Sequence, residues 1–182
     1  MSARETLTKD DWLRAAMELL RTRGIGGVRV LPLAKELGVS RGSFYWHFED
    51  RDDLLRCMLD WWDREMTDSV IQFANKGHGS AQKRLMAVAE DVVRFDRNRH
   101  ETAIRTWAES DKRAAKTLRR VVNKRLDYVT SLFRDASFSP AEARARGDLL
   151  AVYIMSEDSI LAHETLETRL RLLRRQIRLL TS

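Results

Sequence analysis

The chain has 182 residues, 43% hydrophobic and 33% charged, with only two prolines and eight glycines; this argues against a disordered or an all-β protein and for a globular, mainly helical one. Length alone leaves open one domain or a small domain fused to a larger one. The formal charge of +6 invites an acidic partner, but the cations are spread evenly: ten Lys/Arg against nine Asp/Glu in residues 1–56, sixteen against twelve in 57–138, seven against six in 139–182. No segment is a basic tail, so a case for nucleic acid has to rest on individual donors.

The opening MSARETLTKDD has no apolar targeting core, and no later stretch approaches ~18 uninterrupted apolar residues. A cytoplasmic protein that neither enters nor crosses a membrane is expected. The single cysteine, Cys57, has no internal disulfide partner and reads as a small hydrophobe.

The elements follow in chain order. Thr8 with Asp11 three residues on forms a capping box, and Leu7 and Trp12 are spaced as a hydrophobic staple. Helix 1 then runs to about Arg23, burying Trp12, Ala16, Leu19 and Leu20, with Gly24 as a left-handed stop. A short helix over about Val30–Leu37 tolerates Pro32 in its first turn and ends at Gly38. Ser40 caps the next, whose first turn is Arg41-Gly42-Ser43. Asp50, with Asp53 at the box position, starts a long amphipathic helix through Leu55, Leu59, Trp62, Met66, Val70 and Phe73. Leu85, Val88, Val92 and Phe95 mark another helix; a short segment with Ile104 and Trp107 leads to a cap at Ser110 or Asp111 and a helix carrying Leu118, Val122, Leu126, Val129 and Phe133. Ser139-Pro140-Ala141-Glu142 is a strong start signal for two last helices, to about Ala162 and Leu180. Strand-like alternation is missing throughout, so the expected fold is all-α with about nine helices: residues 1–50 as a helix–turn–helix domain, 51–182 as a larger helical domain.

Residues 33–55, LAKELGVSRGSFYWHFEDRDDLL, concentrate donors rather than acids and bases. Ala34 lets a neighbouring helix approach, Gly38 turns the chain, and Leu33, Leu37, Val39 and Phe44 fill the angle between two helices. The N-terminal turn of the second helix is what enters a major groove in such a motif. Arg41 suits a bidentate contact to guanine, Gly42 allows close backbone approach, and Ser43, Tyr45 and His47 donate to phosphates or base edges. Tyr45 and Trp46 read equally as packing residues at a domain joint.

Leu33-Ala34, Gly38-Val39-Ser40, Gly42-Ser43-Phe44-Tyr45, Trp46-His47-Phe48 and Arg51 together resemble the helix–turn–helix of the tetracycline-repressor (TetR) family of bacterial transcription regulators. The likeness is close over residues 8–56. Weaker likeness to the regulatory domain of one branch of the family runs through RTWAESDKRAAKTL and RLDYVTSLFRDASFSPAEARAR. Two departures stand out: Val28-Arg29 replaces a hydroxyl residue before helix 2, making Arg29 a substitute phosphate contact, and Glu49-Asp50-Arg51 crowds the basic position at the start of helix 4 with acids.

The resemblance implies a homodimer that binds double-stranded operator DNA and is released by a small-molecule effector, with no cofactor. It places Arg29, Arg41, Gly42, Ser43, Tyr45, Trp46, His47 and Arg51 at the DNA. It implies pairing of the last two helices as a four-helix bundle, for which Leu166, Leu170, Leu173, Ile177 and Leu180 form the expected stripe. Trp61, Trp62, Met66, Trp107, Tyr128 and Tyr153 are either cavity-lining or plain core, with Arg105 or Tyr128 as polar anchors; an apolar or aromatic effector is expected. The alternative is an effector-independent DNA-binding adaptor or architectural protein, which a missing cavity would favour. An enzyme is not expected, because the chain has no G-x-x-x-x-G-K and no Cys/His cluster; nor is a metal site, because His78, His100 and His163 lack ligand spacing.

Overall fold

A computed structural model describes residues 7–77 and 79–182, and these form helices joined by turns, with no strand among them. The α-helices are α1 (Lys9–Gly27), α2 (Val30–Glu36), α3 (Arg41–Phe44), α4 (Arg51–Asp63), α5 (Ser69–Lys76), α6 (Ala81–Arg94), α7 (Glu101–Ser110), α8 (Lys112–Asp135), α9 (Pro140–Ile160) and α10 (Leu166–Leu180). A π-helical turn, Arg64–Asp68, joins α4 to α5 without a break; taken as one helix, they bring the total among the described residues to the nine expected. The unbroken amphipathic run explains why the widened turn is invisible in the sequence: one extra residue in a turn leaves the apolar stripe readable.

Local chemistry sets most of the ends. Thr8 and Asp11 exchange both bonds of a capping box, as do Ser139 and Glu142 ahead of α9 with Pro140 in its first turn. Asp50 Oδ1 accepts from the Asp53 amide at 2.8 Å, and Asp53 reaches back to the Glu49 amide at 3.1 Å. Of the two residues expected to cap α8, Asp111 accepts from the amides of Arg113 and Ala114. Ser40 sits at the cap position of α3 but makes no bond to its amides; its hydroxyl meets that of Ser43 at 3.2 Å instead. Gly38 (φ 66°) ends α2 in a Schellman turn, with Gly38 N–H donating to Lys35 and Val39 N–H to Ala34. Gly24 (φ 65°, ψ −178°) breaks α1 in a conformation open only to glycine, and one further turn carries the chain to Gly27.

By packing, the chain divides into two units. The first unit takes the chain up to Asp63 together with Arg99–Leu118; the second takes Arg64–Asn98 and Arg119–Ser182. In the first, α1 packs on α2, α4 and α7. Its core holds Trp12, Met17, Leu33, Phe44, Phe48, Met58, Trp62 and Ile104, all buried. His100 is buried there beside Trp61 with its Nε2 at 3.2 Å from Glu18. Burial holds its imidazole below the ordinary histidine pKa, and Glu18 opposes the shift.

In the second unit α10 packs on α6 and α9, and α5 on α6. This arrangement corrects the expected dimer stripe. Leu170, Leu173 and Ile177 are buried in the protomer's own core with Leu85, Leu132 and Phe133, and Leu180 packs against the same cluster. Only Leu166 of that stripe is exposed. Apolar side chains of this unit left in water lie elsewhere: Phe73, Phe95 and Met155 among them, with Leu149, Val152 (64% exposed) and Ile160 (72%) on α9, and Leu179 (66%) on α10. A single stripe read from α10 could not reveal that α6 and α9 already cover it.

Close approach of α9 to α8 depends on Gly147, where an added Cβ would stand 2.8 Å from Thr130 Oγ1. Gly147→Ala is expected to cost about 1–3 kcal/mol by overpacking. Thr130→Ala in the same chain removes the clash and leaves only ordinary contacts of 3.5 Å, so urea denaturation of the double variant should recover most of that loss.

Candidate nucleic-acid interface

At four residues, α3 is far too short to be stable alone, so its packing decides where its polar face points. Phe44 is the anchor. Its fully buried ring meets Trp12 edge-on at 5.7 Å and lies 5.2 Å from Phe48. With Phe44 inward, helical geometry puts Gly42 on the opposite side of the turn; Arg41 at its first position and Tyr45 just after Phe44 are exposed with it.

The expected donors divide into two groups. Arg41 and Tyr45 are coupled: Arg41 Nη2 donates to the Tyr45 hydroxyl at 3.0 Å, and its guanidinium lies 5.8 Å from the Tyr45 ring centroid. A phenol oxygen that accepts from an arginine keeps its own proton to give to an outside acceptor. Trp46 is 88% exposed, which removes the reading of it as a packing residue within its unit. Arg29 is exposed at the cap position of α2 and makes no cap bond. Ser43 is half-buried with its hydroxyl against Ser40, and the half-buried His47 ring lies 6.1 Å from Trp12 and 6.3 Å from Phe48. These two lean on the core more than the sequence suggested.

Arg51 plays a different part from the one its position implied. Its Nε donates to the Val28 carbonyl at 2.6 Å and its Nη2 to the Ile25 carbonyl at 2.9 Å, tying the first turn of α4 to the turn after α1. A cation at carbonyls left open by a helix end is favourable for both partners. The acids around it are similarly engaged. Asp52 forms a two-point pair with Arg113 at 2.5 and 2.8 Å, and these bonds hold its carboxyl below the usual range. Asp53 is lowered chiefly by the Glu49 amide. The Asp52–Arg113 pair joins residues 61 apart and leaves no periodic signal in the sequence.

Gly42 is informative because nothing inside the protein demands it. Its nearest neighbour to an added Cβ is Ser40 Oγ at 3.6 Å, an ordinary contact, and it lies within the regular turn of α3.

The second unit contains a cavity of about 290 Å³. Met66, Val70, Val88, Val122, Leu126 and Met155 represent its aliphatic wall; Thr67, Asn98, Arg125 and Asp148 are its polar lining. Of the seven expected effector residues only Met66 lines it. Trp61, Trp62 and Trp107 are buried in the first unit, where their indoles fill its helix packing. Arg105, also there, pairs with Glu101 one turn earlier at 2.9 Å. Tyr128 donates to Asn75 at 2.7 Å, and Tyr153 packs against the α6–α8–α10 core; neither lines the cavity. Aromatic residues were the wrong guide because large rings fill cores. The useful signal was Val122-Arg125-Leu126-Val129, one face of a helix with a cation set among aliphatics.

Comparison with known proteins agrees with this architecture. Residues 13–58 match the family of bacterial regulatory proteins, tetR family. The HTH-type transcriptional regulator AcrR of Shigella flexneri is 27% identical over 96 residues, 50% of this chain and 45% of that protein. The chain thus spans less than half the length of that curated relative. Among solved structures, a TetR-family transcriptional regulator from Streptomyces coelicolor superposes with a TM-score of 0.76 at 20% identity, covering 93% of this chain and 86% of the other. A putative transcriptional regulator from Saccharomonospora viridis, crystallised with choline, superposes with a TM-score of 0.77 at 17% identity, covering 93% and 95%.

Two substitutions separate contact from scaffold. Gly42→Ala should keep or raise stability, by up to ~1 kcal/mol from helix propensity, while weakening duplex binding in a fluorescence-anisotropy titration. Arg51→Ala should lower unfolding stability by about 1 kcal/mol, because it removes two charge-assisted bonds at a partly solvated site.

Proposed function

From the match of residues 13–58 to the tetR family of bacterial regulatory proteins, we propose that the chain is a TetR-family DNA-binding transcription regulator, a dimeric, sequence-specific repressor released from its operator by a small molecule. The observation that carries this is the outward row of Arg41, Gly42, Tyr45 and Trp46 on a one-turn helix fixed by Phe44. Arg41 makes the base-edge contact, Tyr45 and Arg29 donate to phosphates, Trp46 lies along the backbone, and Ser43 and His47 support the turn while donating at its edge. Arg51 acts as the anchor of α4 and reaches phosphate only with donors not directed at Ile25 and Val28.

The cavity supports an effector and counts against the effector-independent adaptor. Helical structure is continuous from Arg51, at the carbonyls that close α1, through Met66 and Thr67 on the cavity wall. A ligand that prefers one position of this helix shifts the DNA-binding equilibrium by its differential affinity, and typical couplings of ~1–3 kcal/mol weaken operator binding about 5–150-fold. Operator weakens ligand binding by the same factor. The choline complex of the S. viridis relative supports a small molecule in a protein of this fold, but the cavity here has no aromatic lining among the described residues for a quaternary ammonium.

Dimerisation belongs to the exposed face of α9, Leu149, Val152 and Ile160, with Leu179 of α10. Leu149→Glu with Ile160→Glu, neither of which lines the cavity, should give a folded monomer in sedimentation velocity and weaken operator binding, whereas Leu173→Ala should cost stability by about 2–5 kcal/mol as a core truncation. A dimer undisturbed by the two glutamates would exclude this face.

For recognition, Arg41→Ala should remove ~1–3 kcal/mol of discrimination between cognate and random duplex. Tyr45→Phe should weaken both, and the double variant should lose less than the sum because the two side chains are bonded. Equal losses on cognate and random duplex from Arg41→Ala would refute base reading by this residue.

A further inference from the structure

The cavity of the second unit is not closed by its own protomer. Two of its lining residues on α9, Val152 and Met155, are also exposed to solvent, whereas Met66, Val70 and Val88 of the same lining are buried. The mouth therefore lies along α9.

That mouth adjoins an uncharged face. At 3.6 residues per turn, Ala145, Leu149, Val152, Ser156, Ser159 and Ile160 share an arc of about 100° on α9. None of the six is charged, although the helix carries Arg144, Arg146, Asp148, Glu157 and Asp158 elsewhere. Asp148, beside the arc, is held by Arg144 at 2.9 and 3.1 Å, and the Ser156 hydroxyl donates to the Val152 carbonyl, so both polar groups are engaged within the protomer. Val152 belongs at once to this face and to the rim of the cavity.

A face without charge offers no counter-ion to an acidic or a basic partner, but it complements its own copy about a two-fold axis, where the same patch meets itself. Its exposed Leu149, Val152 and Ile160 form an apolar row that such a pairing takes out of water. Resting on the reading of α9 as the dimer face and of the cavity as the effector site, we infer that a second copy of this chain closes the cavity. A partner that covers Leu149 and Ile160 passes over Val152, and with it over the mouth. The cavity is complete only in the dimer. A small molecule lodged there is buried more fully in the dimer than in the monomer, and by reciprocity it strengthens the dimer.

The test labels the cavity wall and needs no ligand. In the full chain with its single cysteine replaced, Cys57→Ser, Val88→Cys puts a thiol on a buried part of the wall. Val93→Cys in the same background puts one on the same helix, in the core and away from the lining. Each is treated with methyl methanethiosulfonate and followed by mass spectrometry, with and without Leu149→Glu plus Ile160→Glu, sedimentation velocity recording dimer or monomer. Val88→Cys should react at least about tenfold faster in the monomer, while Val93→Cys changes little, because that thiol is reached only by local unfolding. Val122→Cys, elsewhere on the wall, replaces Val88→Cys should the latter fail to fold by circular dichroism. Equal rates at the wall thiol in dimer and monomer, or the same acceleration at both thiols, would overturn closure by the partner and leave α9 as the dimer face. A dimer that survives the two glutamates would overturn both readings, since the partner then sits elsewhere.

Discussion

Everything assigned to the DNA-facing side depends on one packing constraint: a single helical turn cannot hold its own shape, and the buried ring of Phe44 holds it. Trp12 from α1 and Phe48 from the turn before α4 enclose that ring, so three separate stretches of chain fix one short helix. The polar face of α3 is therefore set by its apolar face. Arg41 and Tyr45 then restrict each other through their hydrogen bond, which lowers the entropy lost when either meets a ligand.

The second constraint is the use of charge as scaffold. Arg51 closes the carbonyls at the end of α1, Arg113 holds Asp52 at the start of α4, and Asp50 and Asp53 cap the same turn. These five charged side chains are engaged with backbone or with each other. The same economy appears at the π-turn, where Arg97 and Arg125 approach the carbonyls of Glu65 and Met66.

The sequence was legible where the chemistry is local. The boxes at Thr8 and Ser139, the glycines at 24 and 38, and the inward spacing of Trp12, Phe44 and Phe48 all act within a turn or two, and helix positions followed from them. The outward placement of Arg41 was legible for the same reason, whereas Tyr45 and Trp46, which read equally as packing residues, are exposed in the fold. What failed needed a third element. Leu170, Leu173 and Ile177 read as a free stripe because nothing in α10 says that α6 and α9 cover it. Trp61, Trp62 and Trp107 read as possible cavity walls because burial in a core and burial against a ligand select the same residues. Arg51 read as a phosphate donor because its partners, Ile25 and Val28, are carbonyls, and a carbonyl has no residue type.

Sequence-specific recognition by two copies of α3 is the central claim, and selection from a pool of random duplexes with the full-length protein tests it most directly. Two recognition helices related by two-fold symmetry should enrich a palindromic site whose half-sites lie ~34–36 Å apart or a multiple of it. Enrichment of an unsymmetrical site, or no enrichment at any salt concentration that permits binding, would contradict the account.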